Sequence, residues 1–273
     1  MPLISVIIPV YNEDKYLASC LESLSKQEGV EFEILVVDDG SNPPVSLEKL
    51  KNGKVYRRKH NGTAFSRNFG AEKAKGNILV FIDGDMVFSK DFLNALTKPI
   101  KSKKSKGTYS SEEFVANWEN VWARCWNYEN GLMTKRRIDP NRKDMVKDFR
   151  AILASEFKRV GGFDNTGYTD TWTLSQKLGY YPTETKAHYF HYNPSSLSEV
   201  YKQAAWIGKR ERKLGIWGKG MAFARALPPL SLIKGLVGLL KFSEMGYLPF
   251  KVVYDLGTLY GISEHLFGRK YSK

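Results

Sequence analysis

The sequence predicts an α/β fold built on a mostly parallel sheet with helices on both faces. Three observations predict it. Short runs rich in Val and Ile alternate with helical patterns through the first half of the chain, and each run ends in a polar, turn-forming cluster. The 273 residues, 42% of them hydrophobic, are also enough to bury one large core.

In chain order, Ile4 to Pro9 is the first buried strand, closed by Val10-Tyr11-Asn12-Glu13, and Asp14 to Lys26 is the first helix. Phe32 to Val37 is the second strand, closed by Asp38-Asp39-Gly40-Ser41. A helix over Ala64 to Lys75 leads to the strand Ile78 to Ile82, closed by Asp83-Gly84-Asp85. Open α/β sheets bind ligands beyond the carboxyl ends of their strands, so the three acidic clusters are expected to line one crevice. Residues 99–148 carry the run Lys101-Ser102-Lys103-Lys104-Ser105-Lys106 and weak periodicity, which reads as a mobile insertion. Within it Trp118, Trp122 and Trp126 recur every four residues, as one helix face that either packs on the sheet or forms an aromatic wall for an acceptor. Phe149 to Phe157 reads as a further strand.

The last quarter is different in kind. Residues 201–273 hold 13 Lys and Arg against 4 Asp and Glu, most of the chain's net charge of +13. Leu230, Ile233, Val237 and Leu240 keep helical spacing with Lys234 and Lys241 on the other face, and Met245 to Phe267 is a second apolar stretch containing Lys251, Asp255 and Glu264. A span needs about 20 mostly uncharged residues, so basic amphipathic helices lying in the headgroup region are expected, with packing on a soluble core or in a dimer interface as the alternative. The expected domains are 1–200 catalytic, 201–221 a basic amphipathic connector, and 222–273 membrane-associated helices. Cys20 and Cys125 stand far apart without zinc-ligand neighbours, and the N-terminus lacks a basic n-region and cleavage site, which points to the cytosolic side and a mature first residue.

A surplus of positive charge implies phosphate somewhere: nucleic acid, lipid headgroups or a diphosphate substrate. The acidic clusters at the strand ends oppose a nucleic-acid backbone, so no nucleic acid is expected. A nonenzymatic basic membrane- or nucleic-acid-binding module remains the reading from another class. Asp83 and Asp85, one residue apart at the end of a buried strand, suit a divalent cation that also meets substrate phosphates, although such a pair alone also occurs as a helix cap.

Five blocks together are more specific: Ser5 to Glu13, Val36 to Ser41, Ser66-Arg67-Asn68-Phe69-Gly70 with Ala74-Lys75-Gly76, Asp83-Gly84-Asp85, and Gly161-Gly162-Phe163-Asp164. In order and spacing, over about residues 3 to 210, they resemble the family 2 glycosyltransferases of GT-A fold. The resemblance implies an inverting, membrane-associated enzyme, akin to reduced cellulose-synthase-like or dolichyl-phosphate-mannose-synthase-like relatives. By it, Pro9, Tyr11, Glu13 and Asp39 hold the base and ribose, and Arg67, Asp83 and Gly84 face the nucleotide sugar. Asp85 and Asp83, with His191, ligate Mn2+ or Mg2+. Asp170, in Gly167-Tyr168-Thr169-Asp170, takes the place of the family's base, with Thr169 where a Glu is usual. Trp206 and Thr169 would meet the acceptor, and the absence of a Gln-x-x-Arg-Trp motif argues against a long-chain polymerase. The expected partners are a GDP- or UDP-linked hexose (mannose or glucose type), a lipid-linked acceptor and the cytoplasmic face of the cell membrane. A polyprenyl-phosphate sugar synthase is the alternative on the same fold.

Overall fold

A computed structural model describes residues 4–12, 14–46, 53–141, 148–166, 170–210 and 214–266. The chain divides into two compact units, residues 1–114 with 138–191, and residues 115–137 with 192–273. This division differs from the expected boundaries at 200 and 221. The segment 115–137 belongs with the C-terminal helices because its helix packs on them through aromatic contacts given below.

The first unit is built on β1 (Ile4–Val10), α1 (Asp14–Ser25), β2 (Phe32–Asp38), β3 (Gly53–Arg57), α2 (Thr63–Lys73), β4 (Ile78–Phe81), β5 (Met86–Phe88), α3 (Phe92–Lys101) and β6 (Gly107–Ser110). After β7 (Glu113–Val115) and α4 (Val121–Glu129) come β8 (Ala151–Leu153), α5 (Ala154–Arg159), α6 (Asp170–Leu178), β9 (Thr183–Thr185) and β10 (Tyr189–His191). The main sheet has the order β3-β2-β1-β4-β8-β6-β9. β3, β2, β1 and β4 run parallel, and β8 is antiparallel to both β4 and β6.

Alternation along β1 divides the core between two faces. Ile4, Val6, Ile8 and Val10 join Leu17, Leu21 and Leu24 of α1 and Phe92, Leu93 and Leu96 of α3. Ile7 faces the other way, with Leu35, Leu79 and Phe81, and meets Ala64, Phe157 and Leu174 from α2, α5 and α6. Helices thus cover both faces as expected; α1 and α2 lie where the sequence predicts helices, whereas α3, α5 and α6 were not foreseen. Successive strands step from β1 through β2 to β3, and β4 then returns to the far side of β1, so the strand order reverses between β1 and β4. This is the position at which open α/β sheets hold ligands.

Three expectations are corrected. Phe149 to Phe157 is only briefly a strand. Phe149 lies against Gly107, where an added Cβ would stand 2.3 Å from its ring, and the chain turns helical at Ala154 with the i,i+3 pair Glu156–Arg159. Residues 99–148 are not one mobile insertion among the described residues, since they contain β6, β7 and α4. β6 escaped notice because its sequence is Gly-Thr-Tyr-Ser. Its polar side chains are satisfied internally, Thr108 donating to the Leu96 carbonyl at 2.7 Å and Ser110 to that of Thr185 at 3.2 Å. The tryptophan triplet is also broken. Asn120 caps α4 by accepting from the amides of Trp122 and Ala123, which leaves Trp118 outside the helix.

The second unit consists of α4 with α7 (Leu197–Gly208), α8 (Gly215–Arg225), α9 (Pro228–Phe242) and α10 (Tyr247–Leu266). Trp126 of α4 is buried edge-on against Phe250 and Tyr254 of α10, so this residue packs on a helix and not, as one alternative had it, on the sheet. Beside it, buried Lys251 donates to Glu129 at 2.7 Å and to Asp255 at 2.8 Å, so the lysine of the last apolar stretch is held between two carboxylates inside the unit. α7 and α10 approach closely through Gly208, Gly257 and Gly261. A Cβ on Gly261 would stand 1.9 Å from the carbonyl oxygen of Ala205.

Candidate active site

The acidic pair emerges where β4 ends, between Phe81 and the start of β5 at Met86. β10 runs antiparallel to β5 with His191 opposite Met86, and this register carries the imidazole to the carboxylate just before Met86. His191 Nε2 lies 3.1 Å from Asp85 Oδ1. Asp83, Asp85 and His191 each offer a ligand atom, and the three atoms lie within 4.8 Å of one another. Two hard oxygen donors and one imidazole, all half-buried, fit a single divalent cation of the Mn2+ or Mg2+ type, and the nitrogen donor weights the set toward Mn2+.

Around the triad stands a further layer of partners. Glu113 Oε1 is 2.8 Å from His191 Nδ1, and Glu113 Oε2 accepts from the Tyr189 hydroxyl at 2.9 Å. Both ring nitrogens thus lie within hydrogen-bond distance of a carboxylate, Nδ1 of Glu113 and Nε2 of Asp85; a cation held beside Asp85 would take the Nε2 lone pair while Nδ1–H donates to Glu113. The Arg67 guanidinium donates to Asp83 Oδ1 at 2.7 Å, and Arg150 Nη1 lies 3.5 Å from Asp83 Oδ2. Burial pushes the Asp83 carboxyl up, but Arg67 and Arg150, with His191, outweigh it and hold the group well below the ordinary carboxylate range. Asp83 is therefore ionised at neutral pH. Arg150 also lies over the ring of Tyr189, 5.6 Å from its centroid.

The loops after β1 and β2 form the neighbouring rim. Pro9 is buried within β1 and Tyr11 is half-buried beyond its end. Asn12, with φ 51°, donates its amide to Ser41 Oγ at 3.0 Å and accepts from the Asn42 amide at 2.8 Å, which ties the two loops together. Asp39 is buried and holds a third loop. Its carboxylate accepts from the amides of Asn61 and Gly62 at 3.2 and 2.8 Å and from the Ser66 hydroxyl at 2.9 Å, and His60 Nδ1 is 2.9 Å away. The His60 ring so held stacks on Tyr11 with centroids 4.0 Å apart. Gly40, at φ +87°, makes room for this loop, since a Cβ there would be 2.9 Å from the His60 amide nitrogen.

The structure thus brings Asp83, Asp85, His191 and Arg67 together and sets Pro9, Tyr11 and Asp39 at the ends of the adjacent strands. Gly84 is buried between the two carboxylates, and a Cβ on it would meet Leu17 and Val10 at ordinary contact distances, so its backbone is not specially demanded. Glu13 and Thr169 lie outside the described residues, and Asp170 is the first residue of α6. Trp206, on α7, is part of the second unit. Arg150, Glu113 and His60 were missed by the sequence reading. None of them lies in a motif block, and each gains its role from a partner distant in the chain, 78 residues away for Glu113 and His191. Asn68 ties two of the motif blocks together. Its amide donates to the Phe163 carbonyl and its oxygen accepts from the Phe163 amide, both at 2.9 Å.

Comparison with known proteins agrees with this arrangement. An uncharacterized glycosyltransferase of Rickettsia felis is 39% identical over 93 residues, covering 32% of this chain and 15% of that protein. The glycosyltransferase GlyG of Streptococcus pneumoniae is 30% identical over 108 residues, covering 37% and 36%. The chain therefore spans about a third or less of the length of these curated relatives. Among solved structures, the mannosyltransferase PcManGT of Pyrobaculum calidifontis, in complex with GDP-Man and Mn2+, superposes with a TM-score of 0.59 at 16% identity, covering 98% of this chain and 88% of that one. TarS 1-349 of S. aureus in complex with UDP-GlcNAc superposes with a TM-score of 0.54 at 16% identity, covering 99% and 93%. At these identities the superpositions establish the shared GT-A fold. The profile of glycosyl transferase family 2 matches residues 5–161, more than half of the chain and all of the strand-end clusters around the acidic pair. By that match the chain belongs to glycosyl transferase family 2.

Proposed function

We propose that this enzyme moves a hexose from a GDP- or UDP-linked sugar, with inversion, to a membrane-held acceptor, a polyprenyl-linked glycan, at the cytoplasmic face of the cell membrane. The observation that carries the donor half of this reading is the convergence of Asp83, Asp85 and His191 at the strand-order reversal. Two fold relatives carry a GDP-linked or a UDP-linked sugar, one of them together with Mn2+, which supports both the donor class and the cation. When bound, a divalent cation supplies charge neutralisation to the departing diphosphate.

The chain's own residues account for the remainder. Pro9, Tyr11 and Asp39 bound the base and ribose side, Asp39 through the turn that it holds. Arg67 and Arg150 keep Asp83 ionised and add positive charge where the leaving group develops negative charge. Inversion requires a base on the side of the anomeric carbon opposite the diphosphate, and Asp170, opening α6, fills this role by taking the proton of the acceptor hydroxyl. The basic C-terminal helices favour a lipid-held acceptor by raising its local concentration.

A transfer assay with GDP-mannose, GDP-glucose, UDP-glucose and UDP-mannose, Mn2+ and a polyprenyl-linked glycan tests the reading. Product is expected with one nucleotide only, and Asp170→Asn is expected to abolish it. Retained transfer by Asp170→Asn to a polyprenyl phosphate, an acceptor that arrives already deprotonated, would replace this reading with that of a polyprenyl-phosphate sugar synthase.

A further inference from the structure

α9 is packed inside out for a helix in water. Its buried residues are Ser231, Gly235 and Gly238, while Leu230, Leu232, Ile233, Leu236, Val237 and Leu240 are exposed, Leu240 by 78%. The small residues lie against α10. A Cβ on Gly235 would stand 2.6 Å from the Leu248 side chain, and one on Gly238 would stand 2.1 Å from the Tyr247 ring. A water-soluble amphipathic helix buries its large apolar stripe and exposes its small and polar residues. α8 has no buried residue at all, and it exposes Ile216 and Trp217, the latter by 81%.

The sign of the charge on this surface is uniform. From Leu214 to Ser243 the chain carries Lys219, Arg225, Lys234 and Lys241 and no Asp or Glu. Lys219 contacts His265 Nε2 at 2.5 Å, and Lys234 donates to the Arg225 carbonyl at the end of α8. A second copy of the chain laid on this face would oppose cations to cations with no acid between them. Anionic lipid answers the same pattern with phosphate, and its acyl chains answer the exposed leucines.

Helix length bears on spanning against lying flat. No single described helix is long and apolar enough to cross a membrane; α8 and α9 have the length and composition for it only as a pair, and they meet at a bend of 66°. The 15 residues of α9 extend about 22 Å at 1.5 Å per residue, short of the roughly 30 Å of a hydrocarbon core. α10 has 20 residues but buries Lys251 and Asp255 within its own unit.

We infer that α8 and α9 form a bent, in-plane docking surface for an anionic bilayer, with Trp217, Ile233, Val237 and Leu240 below the headgroups and the basic residues at phosphate level. This deepens the membrane clause of the proposed function but rests on the packing of the second unit alone, independently of donor and acceptor.

The test is flotation of the full chain with vesicles of phosphatidylcholine, alone or with a third phosphatidylglycerol. Binding is expected to the anionic vesicles, to fall at least about ten-fold without phosphatidylglycerol, and to weaken with salt. Trp217 emission is expected to be quenched by bromine placed shallow in the acyl chains more than by bromine near their ends, and Trp217→Phe should remove that signal. Ile233→Asp/Val237→Asp/Leu240→Asp, at positions the fold leaves exposed, should lose vesicle binding while keeping nucleotide and Mn2+ binding, which reads the transferase function separately. Equal flotation of this variant would overturn the inference. So would strongest quenching by the deepest bromines, which means a span, or a dimer without vesicle binding that the triple substitution splits, which means a second copy covers the face.

Discussion

Glu113 and His191 form a carboxylate–imidazole pair, with Oε1 2.8 Å from Nδ1, whose other ring nitrogen lies 3.1 Å from Asp85. The pair aims the ring of His191, the one nitrogen ligand among the three, with Nε2 toward Asp85. Glu113 is therefore a positioning residue for the metal centre, acting through His191.

Glu113→Gln keeps the shape and one acceptor but removes the charge that makes the ring more basic. Mn2+ affinity, read by electron paramagnetic resonance of free ion, is expected to fall about 10- to 100-fold with little change in melting temperature. Tyr189→Phe, which removes the hydroxyl that donates to Glu113 Oε2, is expected to change Mn2+ affinity far less. Unchanged Mn2+ affinity in Glu113→Gln would mean that the pair does not align the ligand.

Asn68 makes two hydrogen bonds to the backbone of Phe163, 95 residues along the chain. Asn68→Ala is expected to cost about 2 kcal/mol, one for each bond, in urea unfolding. Asn68→Asp keeps the acceptor but turns a carboxylate oxygen toward the Phe163 carbonyl, so no smaller loss than that of Asn68→Ala is expected at neutral pH. Gly162→Ala attacks the same joint from the other side, because its Cβ would lie 2.4 Å from Asn68 Oδ1 at φ +73°.

Acid stability has an identifiable contributor away from the metal centre. Arg159 and Lys106 donate to Glu156, and against the upward push of burial they, with Tyr180, bring its carboxyl down from 4.5 to about 2. A carboxyl with a depressed folded-state value stabilises the fold fully above its unfolded value and loses that contribution as pH falls through the folded one. Stability measured by denaturant titration is expected to drop between about pH 4.5 and 2, and Glu156→Gln should flatten that drop while lowering stability at neutral pH. An identical pH profile in the variant would assign the acid loss to other groups.

Much of this was legible in the sequence where apolar period and turn chemistry coincide. Ile4 to Val10, Phe32 to Asp38 and Ile78 to Phe81 are mostly apolar runs and prove to be parallel strands, and Asp38, Asp39, Asp83 and Asp85 stand at the carboxyl edge. β6 was not legible because its residues satisfy polar groups in place of burying apolar ones. Glu113 and Arg150 were not legible because neither has a local pattern. Sheet register, β10 against β5, sets His191 beside Asp85, and a one-residue slip would turn it to the opposite face. The inverted packing of α9 was half visible: spacing identified the stripe Leu230, Ile233, Val237 and Leu240, but only the contacts of Gly235 and Gly238 with α10 show which side is covered.

The central claim is that Asp83, Asp85 and His191 hold a divalent cation that a nucleotide diphosphate shares. Calorimetric titration of GDP and UDP into the full chain, with and without Mn2+, measures this directly. One nucleotide is expected to bind with Mn2+ and at least about ten-fold more weakly without it, a difference of about 1.4 kcal/mol, and Asp85→Asn should erase the difference. Equal affinity with and without Mn2+, unchanged in Asp85→Asn, would contradict the account.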